Sequence, residues 1–473
     1  MASIYFTGTY PPIMCGIATY TNYLTRESPP GQWGALSFDL EKYGAPLTNG
    51  PASATEPVWY GIAGHRDFCA NDILTGLAEL RAYRSDSVLW FQHETAIWAN
   101  PRKFVAMLKW LDMPKVVSFH TLHFQSGETP SGLCGYQYDL LQNLLPYVDA
   151  ITVFSYGVYW AVISAFPEYC TKVYVIKHGI HSYPAICSLS REEAKEKLYD
   201  FLMCESNLDS EAKEVLRQQQ IFSDPDTVIL GQTGFLCPLK QSESLYIVRE
   251  NLQRMLPHKR IVAVRIGSAR EKSHIAYAKH LRSEFNDPNA FLLDTWLPDS
   301  VLPLAQRAFD INFYWPADCT QSGILAHALG AGAIIAGRDL EGVGETLRGA
   351  GEIVDTDIDR LTMKIRDVIL NPELARQIEM QVSDYASEFS WKNQASRHYK
   401  LAETIIAGAQ VREKACEPPE TDPLVALVTG SSNVEISTDP VAFKQLLHNI
   451  QNKKKSGNVA RIHSTRKGPR GVI

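Results

Sequence analysis

The sequence predicts an α/β protein built from two doubly wound parallel sheets, and three observations carry that prediction. Short apolar runs recur along most of the 473-residue chain, with amphipathic segments between them. The runs are apolar at nearly every position, as expected for parallel strands that are covered on both faces. The alternation breaks once, at residues 188–226, and then resumes. We therefore expect two Rossmann-like domains, residues 1–187 and residues 227–388.

The composition is that of a soluble globular protein and excludes several functions. Hydrophobic and charged residues make up 45% and 21% of the chain, which is ordinary for such proteins. With 46 basic and 52 acidic residues, the net charge of −6 provides no overall positive field for nucleic acid. No apolar run approaches the roughly 20 residues of a membrane-spanning helix, and the N-terminus lacks a signal-peptide pattern. The nine cysteines include no Cys-x-x-Cys pair, which favours reduced thiols in a cytoplasmic protein.

The first domain opens with a strand, Ser3–Thr7, followed by a loop that contains two prolines and ends at Gly16. A helix is predicted at residues 17–24. Such a loop between a strand and a helix exposes backbone N–H groups at the helix N-terminus, where phosphates bind. The loop is therefore a candidate phosphate site, although an ordinary connection would have the same pattern.

Three later strands of the first domain end on histidine, at His93, His120 and His178. The carboxyl ends of parallel strands meet at one edge of the sheet, and ligands of α/β proteins bind at that edge. Neutral imidazoles there can hydrogen-bond sugar hydroxyls or a phosphate, whereas a lone histidine is more often structural. Metal-binding spacings such as H-x-x-x-H do not occur around these residues, so no metal site is predicted.

Residues 188–226 interrupt the pattern with two charged, amphipathic helices. Ser190 and Asp209 are suitable N-cap residues for these helices, because their side-chain oxygens can accept hydrogen bonds from the first turn. We expect this segment to be a helical insertion or linker at the junction between the two domains.

The second domain repeats the arrangement of strand, loop and helix. Its first strand ends near Gly231, and a loop containing Gly234 and a proline follows. Lys240 comes at the end of this loop, just before a predicted helix. A lysine at that point can reach a diphosphate as a compact positive charge, unless it is simply a solvated surface residue.

A further candidate site of the second domain lies in residues 309–332. Residues 311–315 are predicted to be a buried strand that Pro316 ends, because proline cannot donate to a sheet ladder. Residues 318–323 form a loop of small and polar residues that leads into a helix at residues 324–329. The helix N-terminus leaves N–H groups free and carries the positive end of the helix dipole, which suits a phosphate or an oxygen-rich ligand.

Two segments follow the second domain. Residues 389–410 have the pattern of a long amphipathic helix. Residues 411–473 contain several prolines and end in a basic stretch, so we expect them to be largely disordered, with one helix at residues 440–449. Their positive charge would suit weak contact with an anionic membrane surface, but a solvated tail is the favoured interpretation.

A series of short motifs runs in order along the chain up to the C-terminal helix. The first domain contains T-Y-P-P-I-M-C-G-I-A-T-Y-T-N-Y-L, F-Q-H-E, S-F-H-T-L-H and V-I-K-H-G-I. The second contains G-F-L-C-P-L-K, T-Q-S-G-I-L-A-H-A-L-G-A-G, G-V-G-E-T-L and G-A-G-E-I-V-D, and F-S-W begins the C-terminal helix. Together these motifs resemble a bacterial branch of glycosyltransferase family 4. The resemblance implies the GT-B fold, in which two Rossmann-like domains face a cleft and a C-terminal helix crosses back to the first domain.

The resemblance also implies an activity, with no cofactor and no nucleic-acid partner. A hexose would move from a nucleotide-diphosphate sugar to a saccharide or other hydroxyl acceptor, with retention of configuration and without metal. His120 and Lys240 would be catalytic, with His120 beside the transferred sugar and Lys240 neutralising the departing diphosphate. Glu345 would lie near the nucleotide end or the diphosphate loop. The donor-binding residues implied are Gly16, His93, Gly234, Lys240, Cys319, Thr320, Gln321, Ser322, Gly323, His327 and Glu345.

The sequence departs from the family pattern in two places. The glutamate pair that most members carry across the loop and its helix corresponds to positions near Cys319 and His327. The usual arginine before the lysine is replaced near Phe235. Two competing hypotheses are therefore kept: a GT-B nucleotide-sugar epimerase, and a non-catalytic protein that binds a sugar nucleotide or a glycan. The D-x-D sequence at residues 355–357 is interpreted as a surface turn rather than a metal site.

Overall fold

The structure, a computed structural model, describes residues 2–48, 56–82, 86–269 and 271–410. The first lobe is built on a fully parallel sheet whose order is β3-β2-β1-β4-β5-β6-β7. Its strands in the described chain are β1 (Ser3–Thr7), β2 (Trp33–Phe38), β3 (Val58–Ile62), β4 (Ser87–His93), β5 (Lys115–Phe119), β6 (Ala150–Val153) and β7 (Val173–Val175). The order reverses between β1 and β4, which opens a crevice at the carboxyl ends of these strands.

The second lobe contains a second parallel sheet, in the order β10-β9-β8-β11-β12-β13. Its strands in the described residues are β8 (Thr227–Thr233), β9 (Arg260–Gly267), β10 (Ala290–Asp294), β11 (Ile311–Tyr314), β12 (Ile335–Arg338) and β13 (Val354–Asp355). The order reverses between β8 and β11. The two loops that sequence analysis selected in this half follow these two strands, so both border the crevice of the second sheet.

Helices connect the strands and cover both faces of the sheets. In the described chain they are α1 (Gly16–Arg26), α2 (Leu40–Tyr43), α3 (Ala70–Glu79), α4 (Pro101–Trp110), α5 (Gly135–Leu144), α6 (Tyr156–Ala165), α7 (Pro184–Cys187), α8 (Arg191–Cys204), α9 (Ser210–Gln219), α10 (Ser242–Met255), α11 (Lys272–Glu284), α12 (Leu302–Ala308), α13 (Gly323–Gly330), α14 (Glu341–Ala350), α15 (Ile358–Leu370), α16 (Pro372–Glu388) and α17 (Trp391–Gln410). Neighbouring residues of β9 point to opposite faces, so Ile261 and Val262 belong to two different cores. Two-sided burial explains why the strands are apolar at nearly every position.

The segment at residues 188–226 forms α8 and α9, as its amphipathic pattern and caps predicted. The Ser190 side chain accepts from the N–H of Glu193, whose carboxylate accepts in turn from the N–H of Ser190, so α8 begins with a capping box. Leu198 and Leu202 of α8 are buried in one core with Ile229 of β8. The segment therefore supplies one apolar face of the second lobe as well as joining the two sheets.

The C-terminal helix α17 returns to the first lobe, as expected from the resemblance. Its residues Trp391 and Ala402 share a core with Ile4 of β1 and Trp90 of β4. The two segments that connect the lobes, at Ile180 and at residues 389–391, also pair with each other. The N–H of Ile180 donates to the Phe389 carbonyl at 2.8 Å, and the Ile180 carbonyl accepts from the Trp391 N–H at 3.2 Å. These contacts complete the predicted two-lobed architecture.

Three further expectations concern the D-x-D turn, the C-terminal tail and membrane-spanning helices. The D-x-D turn is structural, because Asp357 caps α15 and Asp355 pairs with Arg360 at 3.1 Å and Lys364 at 3.2 Å. The predicted tail and its helix lie outside the described residues. Within the part of the chain that the structure covers, no helix is long and apolar enough to cross a membrane.

Candidate functional site

The loops at the carboxyl ends of the two sheets meet across the cleft. Thr320, in the loop after β11, donates its hydroxyl proton to the carbonyl oxygen of His120, just after β5, at 3.3 Å. Two predicted site residues from different lobes are thus in direct contact. The described arrangement is closed at this point, and the candidate site lies around it.

His120 is held on the first-lobe side by a buried polar contact. Its Nε2 lies 2.6 Å from Gln92 Oε1, and the ring of Tyr20 meets the imidazole edge-on at 4.8 Å. Burial lowers the pKa of His120 to about 3, so the ring is neutral at physiological pH. The contact with Gln92 therefore engages one ring nitrogen of His120 and orients the imidazole.

The other predicted first-lobe residues have different surroundings. The ring of His93 lies between Phe104 and Phe119, with centroids 5.0 and 4.8 Å away, and burial lowers its pKa to about 3. The first lobe's own core therefore encloses His93. Gly16 is the first residue of α1, and a Cβ atom built there would meet nothing within 4 Å. The space before this helix N-terminus is open.

Lys240 lies at the end of a short 3₁₀ turn, Pro238–Lys240, between β8 and α10. Its Nζ is 3.4 Å from the hydroxyl of Tyr314 and 5.3 Å from the centre of that ring. Burial raises the pKa of Tyr314 well above its ordinary value, so the phenol stays neutral. In the described chain no carboxylate lies within 4 Å of Lys240. Gly234, earlier in the loop, has the left-handed φ of +108° that favours glycine.

The loop after β11 is arranged around the N-terminus of α13. Cys319 Sγ contacts the Gln321 carbonyl at 3.0 Å and the Tyr314 hydroxyl at 3.5 Å. Ser322 is the N-cap of α13 and accepts from the Leu325 N–H at 3.4 Å. Tyr314 therefore touches both this loop and Lys240, which brings the two predicted second-lobe features together.

Gln321 and Gly323 complete this loop. Gln321 Oε1 is buried without a hydrogen-bond partner, and the residue lines a small cavity with His178 and Tyr385. A Cβ at Gly323 would meet nothing within 4 Å, so the first turn of α13 borders open space. The cavity has an empty volume of about 310 Å³, open solvent included.

Glu345 is on α14 and crosses the cleft. Its Oε2 accepts from the N–H of Gly157 in the first turn of α6 at 3.2 Å, and its Oε1 is 3.1 Å from Lys177 Nζ. Burial lowers the pKa of Lys177, but the neighbouring Tyr385 and Glu345 outweigh burial and raise it. The sequence had not singled out Lys177, although it stands within the quoted V-I-K-H-G-I motif.

Glu341 is a second bridging carboxylate that sequence reasoning missed. It is only 4% exposed, and its oxygens accept from the N–H groups of Phe124 and Gln125 at 3.0 and 3.1 Å. His123 Nδ1 lies 3.6 Å from Glu341 and 3.8 Å from Asp318. The spacing of Glu341 and Glu345, one helical turn apart, is the signal that could have found this residue.

His327 lies beside the segment that connects the two lobes, where it contacts His181 and Tyr183. Its ring stacks on His181 at 3.9 Å, and its Nδ1 is 2.6 Å from the hydroxyl of Tyr183. Burial lowers the pKa of His327 to about 4, so this stack contains a neutral imidazole. Lys240 and Cys319 both contact Tyr314, and Thr320 contacts the carbonyl of His120, while the rings of His327 and His93 are engaged elsewhere. In the part of the chain that is described, no group of three or more metal-ligating side chains occurs.

The architecture and the position of the crevice define the GT-B fold. Comparison with solved structures gives the same fold. A UDP-forming trehalose-phosphate synthase from Burkholderia xenovorans matches with a TM-score of 0.58 and 12% identity, over 86% of this chain and 99% of that one. Anabaena Alr3699/HepE in complex with UDP matches with a TM-score of 0.56 and 13% identity, over 85% and 100%. A trehalose-6-phosphate protein from E. coli bound with UDP-2-fluoro glucose gives 0.55 and 11%, over 85% and 99%.

At these identities the likeness concerns the fold. No protein-family model matches the sequence, and no curated protein matches it. The narrower resemblance to glycosyltransferase family 4 therefore depends on the sequence motifs alone.

Proposed function

We propose that this chain is a metal-independent glycosyltransferase that moves a hexose from a nucleotide-diphosphate sugar to a saccharide or other hydroxyl acceptor, with retention of configuration. The observation that carries the proposal is the convergence of Lys240 and the α13 loop on Tyr314, across the cleft from His120. A cation and a helix N-terminus on one side suit a diphosphate. A neutral imidazole on the other side suits a sugar hydroxyl.

The second lobe would stabilise the leaving group. Transfer breaks the bond between the sugar C1 and a diphosphate oxygen, forms a bond from the acceptor oxygen to C1, and releases the nucleoside diphosphate and a proton. Negative charge grows on the diphosphate as the bond breaks. Lys240 and the N–H groups at the start of α13 are fixed before the reaction, so they lower the barrier without reorganising.

The first lobe would orient the reacting sugar. Gln92 engages Nε2 of His120, which leaves Nδ1 as the ring nitrogen that would meet a sugar hydroxyl. The imidazole is neutral because it is buried, so it contributes position rather than charge. In the proposal, the two lobes have different tasks in the same step.

A binding and turnover experiment tests the proposal. The full chain is titrated with UDP, GDP, ADP and their glucose or mannose esters, and melting temperature and heat of binding are measured. Incubation of the best donor with a panel of saccharides should release nucleoside diphosphate only when an acceptor is present. NMR of the product should then give the same anomeric configuration as the donor.

The alternatives predict other results. An epimerase would convert the donor without any acceptor. A binding protein would be stabilised by the nucleotide sugar and would never release nucleoside diphosphate. The contacts of His327 with Tyr183 and His181, away from the α13 loop, favour this alternative. Absence of any nucleotide binding would reject the proposal and the epimerase, and would leave only a glycan-binding protein.

A further inference from the structure

The first lobe contains an anion-binding loop that a carboxylate of the second lobe fills. Residues 123–125, here called the first-lobe nest, follow β5 and present two successive N–H groups, from Phe124 and Gln125. The imidazole of His123 lies at the same point. The two N–H groups bind the two oxygens of Glu341, and His123 Nδ1 lies 3.6 Å from one of them. The nest therefore has the donor pattern of an oxyanion site, and Glu341 is its occupant.

The nest is held in shape by the first lobe alone. The N–H of His123 donates to Gln137 Oε1 at 2.9 Å, and the N–H of Ser126 donates to the Gly132 carbonyl at 2.9 Å. Gly132, with φ of +90°, packs so closely that a Cβ there would stand 2.0 Å from the Phe124 carbonyl oxygen. None of these contacts involves Glu341, so the first lobe by itself holds the loop in this conformation. Without Glu341, its two N–H groups would need another acceptor.

Glu341 reaches the nest from a backbone conformation that is unfavourable for it. Its φ of +49° lies in the left-handed region, which residues with a Cβ rarely adopt. The next residue, Gly342, lies so close to the loop after β11 that a Cβ would meet the Thr320 carbonyl at 2.5 Å. A buried carboxylate held in a strained conformation is suited to displacement by a competing anion.

The charges around the nest would change if the lobes separated. In the described chain no lysine or arginine pairs with Glu341. Interaction with the Glu341 carboxylate, as hydrogen-bond acceptor, is the largest cause that raises the pKa of His123, and Asp318 and Glu94 raise it further. Glu341 and Asp318 leave with the second lobe. Glu94 stays on the first lobe, where its Oε2 accepts from the Thr121 hydroxyl at 2.6 Å.

We propose that the first-lobe nest is the subsite for an anionic group of the acceptor, a phosphate or a carboxylate, and that Glu341 fills the subsite when the acceptor is absent. The proposal rests on the proposed function, because it assigns the first lobe to the acceptor. The nest follows the same strand as His120, whereas Lys240 and α13, the groups suited to a diphosphate, belong to the other lobe. Phosphate and carboxylate share the oxyanion chemistry that two N–H groups and an imidazole recognise.

The test compares two substitutions on the same helix. In Glu341→Gln the competing charge is removed from the nest, whereas in Glu345→Gln a different contact between the lobes is weakened and the Glu341 carboxylate is kept. Each full-length protein is titrated by calorimetry with glucose 6-phosphate, glucuronate and glucose. We expect Glu341→Gln to bind at least one of the two anionic sugars at least tenfold more tightly than wild type. Glu345→Gln should change that affinity by less than threefold, and glucose should show no gain.

A second variant separates a vacated nest from general opening of the cleft. Glu341→Gln/His123→Ala should lose most of the gain, because the imidazole that lies beside the bound anion is gone. Equal gains in the two single variants, an equal gain for glucose, or no gain for either anion would overturn the subsite. The titration uses no donor, so its failure is independent of the nucleotide-binding experiment that tests the proposed function.

Discussion

The two faces of the cleft differ in electrostatic character. The second-lobe face presents a lysine without a carboxylate partner in the described chain and the positive end of α13. The first-lobe face is built on histidines that burial keeps neutral, among them His120 with a pKa of about 3. The difference teaches that charge stabilisation and positioning can be separated between lobes. Each can then be perturbed alone.

The largest expected effect is acid unfolding that begins in the first-lobe core. Burial lowers the pKa of His93 and His120 to about 3 and that of His398 to about 4. The unfolded chain has histidines of pKa about 6.5 and binds more protons, so stability falls as the pH drops below about 6.5. At pH 5 each histidine should cost about 2 kcal/mol. Urea unfolding between pH 7.5 and 5 measures the loss.

A single histidine can be removed to check the origin of this pH dependence. His93→Gln should make the slope of stability against pH shallower by about one proton between pH 5 and 6. His258→Gln, at an exposed position, should leave the slope unchanged. Equal slopes for wild type and both variants would refute the assignment.

The next largest effect is expected on the second-lobe face. Lys240→Ala should lower kcat/KM by about two orders of magnitude or more, because the charge on the leaving group loses its fixed counter-charge. Lys240→Arg should restore only part of the lost kcat/KM, since a planar guanidinium does not replace a compact ammonium group. The melting temperature should stay near that of wild type. Unchanged kinetics in the alanine variant, with saturating acceptor, would remove Lys240 from the site.

A smaller effect should follow when the contact between the faces is broken. Lys177 and Glu345 are 14% and 16% exposed, so Lys177→Met leaves a mostly buried carboxylate without its cation. We expect a loss of about 2 kcal/mol in unfolding free energy and a larger radius of gyration in solution scattering. Arg254→Met is the matched control, because the Arg254–Glu250 pair is exposed and should contribute less than about 0.5 kcal/mol. Equal losses in the two variants would contradict this account.

The smallest expected effect concerns metal. If Lys240 and the α13 N-terminus neutralise the diphosphate, turnover should be unchanged by excess EDTA. Complete loss of turnover that magnesium or manganese restores would show that a metal ion shares the task of the second-lobe face.

The architecture could be predicted from the sequence because burial produces recognisable patterns in the local sequence. Two-sided burial makes the parallel strands apolar throughout, and caps such as Ser190 mark helix starts. The GT-B fold, with α17 crossing back, was expected and is confirmed. The positions of Lys240 and the α13 loop at strand ends also followed from local pattern.

The contacts between the lobes could not be predicted in the same way. Phe124 and Glu341 are 217 residues apart in the chain, and backbone N–H groups have no side-chain signature. His93 ends β4 and His120 follows β5, and both rings are buried. The His93 ring lies between two phenylalanines, whereas the His120 ring contacts Gln92, Tyr20 and Phe154. Such differences depend on which way a side chain turns at a strand end, and the spacing of residues does not encode it.

The return of α17 has a consequence for how the chain is made. Trp391 and Ala402 complete a core that also contains Ile4 and Trp90. A ribosome adds about 5 to 20 residues each second, so roughly 15 to 60 s pass between the synthesis of Trp90 and that of Trp391. During that interval the nascent first lobe exposes the apolar surface that α17 later covers. The lobe whose strands are synthesised first is therefore the last to be finished.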